Sequence, residues 1–423
     1  MKYKIIIALA IVITQLSACQ LKDLKSDKKT ENMNEEKIEW DGMVCTPKGY
    51  PATVLSPNVF YSSGGKYITL IPNMSYTGGS NWSGSASSWS SEPKPAPDHL
   101  SITWFSETEN KIYEGEFALP QQKIYDLFKE GYMVYGIPNE SEDGKETLHW
   151  ETYSSLTVGL APKGMVVVWM DGQNKVEIGR YQAKELGRKE ANEVFKRHFK
   201  LSGDMPETID KAEFDRLTPE VKEIVRHGKI SCKQWDDYRL RYNWKVEFNK
   251  PLEMYKYYIG SFNSEYSGYL PPKVNQENFN KIIVEPKDKV VPNYIGMYVT
   301  AENHRNYLIR LETLDEQETI EAFKKLEEAS PKAVITIYIT VDDDFKSFTV
   351  KNYISDFPSI KAKVFNENGK VSGEGFHVDV DTYNHTGSSL TLNASVVNNN
   401  AYNYVKIDGI SAQASANQKQ ALP

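Results

Sequence analysis

Along most of the chain, apolar residues come in short runs cut by Gly, Pro, Asn and Asp, the pattern of strands and tight turns. Residues 67–71 form one such run, stopped by Pro72, and residues 100–105 and 111–117 are two more. Leu119-Pro120 then opens a helix with proline near its first position. Ile124, Leu127 and Phe128 fall at i, i+3 and i+4, and Gly131 closes it. Residues 155–159 and 165–169 are strands around a turn with Pro162 and Gly164. Met165-Val166-Val167-Val168-Trp169 is apolar throughout, which predicts a central strand buried on both faces.

From 184 to 228 the period becomes helical. Ala191, Val194, Phe195, His198 and Phe199 share one face; Thr218-Pro219-Glu220 starts a second helix, with Val221, Ile224 and Val225 inward and Gly228 as its stop. Strand character resumes at 239–248, 291–300 and 305–312. A helix follows over about 315–329, with Ile320, Phe323 and Leu326 inward and Pro331 after it. Residues 334–340 alternate, with Ile335, Ile337 and Ile339 on one side. Strands at 345–350, 361–365, 376–381, 390–396 and 402–407 complete the pattern. The fold class expected is α+β: two β-rich lobes of mostly antiparallel sheet, a helix packed on each, joined by a helical connector. The order strand, strand, helix, strand, strand occurs at 100–169 and again at 291–350, which raises a duplicated unit.

The first residues follow a different rule. Lys2 and Lys4 precede an apolar run from Ile5 to Ile13, and Leu16-Ser17-Ala18-Cys19 follows. That order is a secretory signal peptide, too short to span a bilayer core of ~30 Å as a helix. Leu-Ser-Ala-Cys resembles the lipobox of bacterial lipoproteins. The resemblance implies cleavage before Cys19 and acylation of Cys19, with several acyl chains giving firm anchoring at about 0.8 kcal/mol per buried CH₂. Gln20 stands where an aspartate favours the inner membrane, so the expected location is the outer membrane, facing the periplasm. Residues 19–39, rich in Lys, Asp, Glu and Asn, read as a disordered tether. The remaining divisions are a first α+β domain at 40–183, the connector at 184–230, a second β-rich domain at 231–410 and a disordered tail at 411–423.

Charge narrows the partners. Fifty basic against 57 acidic residues give a net −7 with no basic cluster, which argues against nucleic acid and against polybasic membrane contact; the lipid does the anchoring. With Cys19 acylated, Cys45 and Cys232 remain as a pair that an oxidising compartment can bond, provided their geometry fits. Trp82 and Trp89 sit inside a Gly/Ser-rich stretch at 76–97. They are candidate partner-binding residues, or else loop anchors folded back onto the domain.

Catalytic and cofactor motifs are absent: no G-x-S-x-G elbow, P-loop, dinucleotide fingerprint or H-E-x-x-H occurs. His377-x-Asp379-x-Asp381, with His385 beyond, would project an imidazole and two carboxylates from one strand face. The same alternation is what an amphipathic strand needs anyway, with Phe376, Val378 and Val380 inward, so no metal is assigned. Asp342-Asp343-Asp344 reads as a turn, His198 as a core histidine, and His149 with Glu151 as a weak acid/base pairing. No cofactor and no catalytic residue are assigned.

Ser101-Ile102-Thr103-Trp104, Tyr113-Glu114-Gly115-Glu116-Phe117, Leu119-Pro120 and Val158-Gly159-Leu160-Ala161-Pro162-Lys163-Gly164 through Trp169 resemble the domain-of-unknown-function 2931 family of Gram-negative lipoproteins. The resemblance covers about residues 95–270, with Tyr242-Asn243-Trp244 and Phe262-Asn263-Ser264-Glu265 as further similar stretches. It supplies no catalytic residues. It implies neighbours of type VI secretion phospholipases, hence an immunity protein that binds a toxin in the periplasm. The function expected is therefore a lipid-anchored binding protein, with a structural or ligand-binding envelope lipoprotein as the alternative.

Overall fold

The computed structural model describes residues 36–341, apart from 63, 74, 77–81, 83–85, 88–91, 136–147, 249, 269–284, 286, 301–305, 312–315, 330 and 332–333. Beyond 341 it describes strand segments between 347 and 415. The chain is mixed α and β with mostly sheet, in several antiparallel arrangements.

The first half contains β1 (Asp41–Cys45), β2 (Ala52–Tyr61), β3 (His99–Ser106), β4 (Lys111–Ala118), α1 (Gln121–Glu130), β5 (Ser155–Ala161), β6 (Met165–Asp171) and β7 (Lys175–Gln182). Four helices follow: α2 (Arg188–Phe199), α3 (Lys211–Arg216), α4 (Pro219–Arg226) and α5 (Lys233–Tyr238). The second half contains β8 (Arg241–Phe248), β9 (Glu253–Ser261), β10 (Lys287–Val290), β11 (Pro292–Thr300), β12 (Asn306–Leu311), α6 (Glu316–Ala329), β13 (Ile335–Val341) and β14 (Ser347–Ile354).

The centre is the antiparallel pair β5–β6, in which Val158 faces Val168 and Thr157 faces Trp169. Both strands are buried almost end to end, as the apolar run at 165–169 predicts. Alternation divides their side chains between two cores. Leu156, Val158, Leu160, Val166, Val168 and Met170 enter a core with Trp40, Phe60, Trp104 and Phe128. Ala161, Met165, Val167 and Trp169 enter a second with Trp82, Trp235, Trp244 and Phe323. A strand with both faces covered can carry valine at successive positions without exposing any of them.

One connectivity occurs twice. In the first half β1 runs parallel to β5, which pairs antiparallel with β6, while β2, β3 and β4 form an antiparallel set. In the second half β8 runs parallel to β13, which pairs antiparallel with β14, while β9, β11 and β12 form the antiparallel set. The other edge of β1 takes a short antiparallel strand from the β2–β3 connection, Ala86–Ser87, and the other edge of β8 takes β10 from the β9–β11 connection. The helix precedes the parallel-paired strand in both cases. The element order seen in the sequence is thus matched by the strand pairing, down to the edge strand.

The halves share a sheet. Its eleven strands run Thr391–Asn393, Asp381–Asn384, β12, β11, β9, Tyr266–Ser267, β7, β6, β5, β1 and Ala86–Ser87. The join is narrow: Lys175 of β7 pairs with Tyr266, and Gly260 of β9 pairs with Tyr266 from the other side.

The helices follow their sequence signals. In α1, Ile124, Tyr125 and Phe128 are buried, and Gly131 at φ +56° closes the helix through its N–H to the Leu127 carbonyl. In α4, Thr218 caps with its hydroxyl on the Val221 N–H, and Pro219 sits in the first turn. The α2 side chains Ala191, Val194 and Phe195 pack on Leu55 and Ile112 as a third core. Toward the C-terminus two expectations change. The described ends of the strand expected at 376–381 lie in different sheets: Phe376–His377 pairs with β14, while Asp381–Asn384 pairs with β12 in the large sheet. The tail expected to be disordered from 411 includes strand Ile410–Ser415, whose alternating small apolar and polar residues pair with Tyr402–Ile407.

Gly159 supplies a direct check on the centre. A Cβ there would stand 2.5 Å from Cζ3 of Trp169 and 2.6 Å from Cζ3 of Trp82, with no flexible side-chain end to move aside. Gly159→Ala is expected to destabilise the chain by about 2–3 kcal/mol, as overpacking of a full core does. A lowered denaturant midpoint at unchanged slope checks it; an unchanged midpoint refutes the packing described.

Candidate functional site

The residues singled out in the sequence do not assemble into one site. Cys19, Trp89, Asp379 and His385, and the 342–344 aspartates, lie outside the described residues. Trp82 is buried, its ring centroid 5.2 Å from that of Trp169 and 6.0 Å from that of Trp235. It is therefore a core anchor rather than a presented contact, because indole area gains more against two other indoles than in water.

The Cys45–Cys232 bond is not formed; both are free thiols. Cys45 is buried on β1, where desolvation pushes its pKa up to about 12. Cys232 instead precedes α5 and faces Arg180 and Asp236. His377 and Asp381 belong to different sheets. Among the described residues no group of three or more His, Cys, Asp or Glu side chains could hold a metal ion. His149 and Glu151 do meet at 2.8 Å, but on an exposed strand. His198 packs on Phe199 at 4.6 Å, and burial lowers its pKa.

What the fold builds instead is a cavity of about 530 Å³ between the two halves. The first half contributes Leu127, Glu130 and Gly131 at the end of α1, Tyr153, and Asn174 to Val176 at the start of β7. The second half contributes Arg241 and Trp244 on β8, Tyr257 and Ile259 on β9, Glu265 to Ser267, and Lys287 to Val290 on β10. The size lies within the ~300–1,000 Å³ of small-molecule sites, and the lining is mixed, with eight aromatic or aliphatic side chains and seven charged ones.

A polar network fixes one wall. Trp169 donates its Nε1–H to the Asn263 carbonyl at 3.1 Å, and Asn263 donates its amide to Glu177 at 3.3 Å. Glu177 holds Arg239 at 2.6 Å, and Glu265 accepts from both the Glu177 N–H and Arg241, the latter at 2.7 Å. These bonds tie β6 and β7 to the turn after β9. Lys175 is held by Asp171 at 3.0 Å.

Lys289 is the exception. Its Nζ is buried with no hydrogen-bond partner among the described residues, and it lies 4.0 Å from the centroid of the Trp244 ring. The ring is itself fixed, its Nε1–H donating to the Val290 carbonyl at 3.0 Å. Burial, with Lys287 nearby adding repulsion, pushes the Lys289 ammonium down to about 8. The indole face offsets part of that penalty but supplies no acceptor for its N–H groups. No sequence pattern marks this residue. Lys287-Asp288-Lys289 reads as a solvated charged stretch, and only the pairing of β10 with β8, which sets Lys289 opposite Tyr242, shows where it goes.

A lysine with a folded pKa below its unfolded value destabilises the fold wherever it must be charged. That cost is full below the folded value near 8 and vanishes as pH rises through the unfolded value of about 10.4. Lys289→Met is therefore expected to stabilise the chain by about 1–3 kcal/mol at pH 7. The gain should shrink as pH rises from 8 toward 10. Thermal melts of both forms across that range check it; an equal loss of stability at every pH contradicts it.

Residues 26–228 match the model of the family described as Protein of unknown function (DUF2931). The match starts earlier and stops earlier than the resemblance at about 95–270, so Tyr242 to Trp244 and Phe262 to Glu265 fall outside it. No curated protein and no solved structure is significantly similar to the chain. No helix among the described residues is long and apolar enough to cross a membrane. The first of the two halves, with β1 to β7 and the helices to α4, is thus the part of this chain that matches the DUF2931 family model.

Proposed function

We propose that this chain is a lipid-anchored binding protein of the periplasm, held at the outer membrane through acylated Cys19, and that its partner is a protein toxin of the type VI secretion phospholipase kind. The observation that carries the anchoring is Leu16-Ser17-Ala18-Cys19 directly after the apolar run from Ile5 to Ile13. The polar segment at 19–39 fits a tether that keeps the folded part clear of the lipid surface. The toxin partner rests on the family resemblance, and a lipid anchor would hold such an inhibitor beside a membrane-directed enzyme. The organisation that goes with this reading is two β-rich lobes, 40–183 and 231–410, with 184–230 as a helical connector. The connectivity shared by the two halves supports it. A second reading, a ligand-binding envelope lipoprotein, is favoured by the cavity between the halves.

Labelling with radioactive palmitate in a Gram-negative host tests the anchor. The wild-type chain is expected to incorporate label and sediment with outer membranes, and Cys19→Ser to lose both properties; equal labelling of the two forms sinks it. Periplasmic expression of the phospholipase encoded beside this chain tests the partner. Survival only when the wild-type chain is co-expressed is expected, and killing that the chain does not change rules the toxin out.

A further inference from the structure

We propose that a second cavity, built by the first half and the helices after it, binds a small organic ammonium, a primary amine on a short aromatic body, with the ammonium on the Glu107 carboxylate and the body against Phe105 and Phe199. This goes beyond the anchored-binder reading and stands whether or not Cys19 is acylated.

The cavity, of about 300 Å³, lies between the end of β3, α2 and α3, and shares no lining residue with the one between the halves. That volume suits a compact small molecule. Three phenyl rings form an apolar wall. The Phe199 centroid lies 4.6 Å from that of Phe195 and 6.5 Å from that of Phe105, and Phe105 lies 5.6 Å from Phe195. Phe195 is buried, whereas Phe105, Phe199 and Ile209 are partly exposed, so a ligand in the cavity reaches the wall. A ring face is the negative side of an aromatic quadrupole and attracts a cation. The segment between α2 and α3 is held in place without a ligand: Asn110 donates its amide to the Pro206 carbonyl at 2.6 Å, and Arg188 donates to the same carbonyl at 2.9 Å.

The lining charges do not balance. Three acids, Glu107, Asp210 and Glu213, stand with a single base, Arg216. Arg216 donates to Glu213 at 2.7 Å, and among the described residues neither Glu107 nor Asp210 makes an ion pair. The nearby bases are engaged elsewhere, Lys211 by Asp215 and Arg188 by Glu207. Glu107 is partly exposed, and its one hydrogen-bond donor among the described residues is the Thr53 hydroxyl at 2.9 Å. Burial pushes the Glu107 carboxyl up, with Glu213 adding repulsion, against the Thr53 bond and the charge of Arg216. A carboxylate with free acceptor sites, in a cavity with an excess of acids, calls for N–H donors that carry a positive charge. A primary ammonium supplies both, and the phenyl wall selects the body that carries it.

Calorimetric titration of the purified full chain with 2-phenylethylammonium at pH 7 tests this. The comparison ligands are 2-phenylethanol, with the body and no charge, 3-phenylpropionate, with the opposite charge, and methylammonium, with the charge and no body. One phenylethylammonium per chain is expected, with affinity lower by about tenfold or more for each comparison ligand. Glu107→Gln keeps an acceptor for Thr53 and should weaken phenylethylammonium by about tenfold or more while keeping a cooperative melt. Phe199→Leu keeps an apolar side chain without the ring and should weaken it by about threefold or more. Glu193→Gln, exposed on α2 and outside the lining, should change affinity by less than about twofold. No binding of phenylethylammonium, an equal affinity for any comparison ligand, or full affinity in a folded Glu107→Gln or Phe199→Leu chain would overturn the proposal.

Discussion

The structure depends on burying both faces of the β5–β6 pair. Leu156, Val158, Val166 and Val168 point to one side and Met165, Val167 and Trp169 to the other, and neither set tolerates water. The first side is covered by β2–β4 and α1 from the same half. The second is covered by Trp82, by the helices from 211 to 238, and by Trp244, Tyr257 and Phe323 from the second half. The sheet that carries the DUF2931 region therefore has its second face completed by residues beyond that region.

The repeated connectivity explains how the second half can do this. It brings its own parallel pair, β8 with β13, and its own antiparallel set, β9 with β11 and β12. The antiparallel set extends the first half's sheet through Tyr266, and the two halves leave a cavity where β7, β8, β9 and β10 converge. The Trp169–Asn263–Glu177–Arg239 chain satisfies the polar groups that this joining buries, since a buried carboxylate without its partners would cost several kcal/mol. Lys289 differs, its Nζ being buried with no hydrogen-bond partner among the described residues.

Much of the fold was legible because local pattern and final burial agree. The apolar run at 165–169, the i, i+3, i+4 spacing in α1 and the Thr218-Pro219 start of α4 each encode their own outcome. Other elements were hidden for identifiable reasons. In β2, Ser56-Pro57 interrupts the run, and the strand absorbs it as a bulge, with Leu55 and Asn58 pairing to successive residues of β3. In β7, lysine, glutamate and arginine alternate with Val176 and Ile178, and the charges are held by partners far along the chain, such as Arg239 for Glu177 and Asp236 for Arg180. Trp82 in a Gly/Ser-rich stretch carries no local sign of whether it turns inward. Lys289 lies between charged neighbours, so its burial is a property of how the halves meet.

The two-faced sheet joins the halves into one cooperative structure. Differential scanning calorimetry of the full chain tests it most directly. One transition, with calorimetric and van't Hoff enthalpies in agreement, is expected. Two resolved transitions, with Trp169 fluorescence following only the one assigned to the first half, would contradict it.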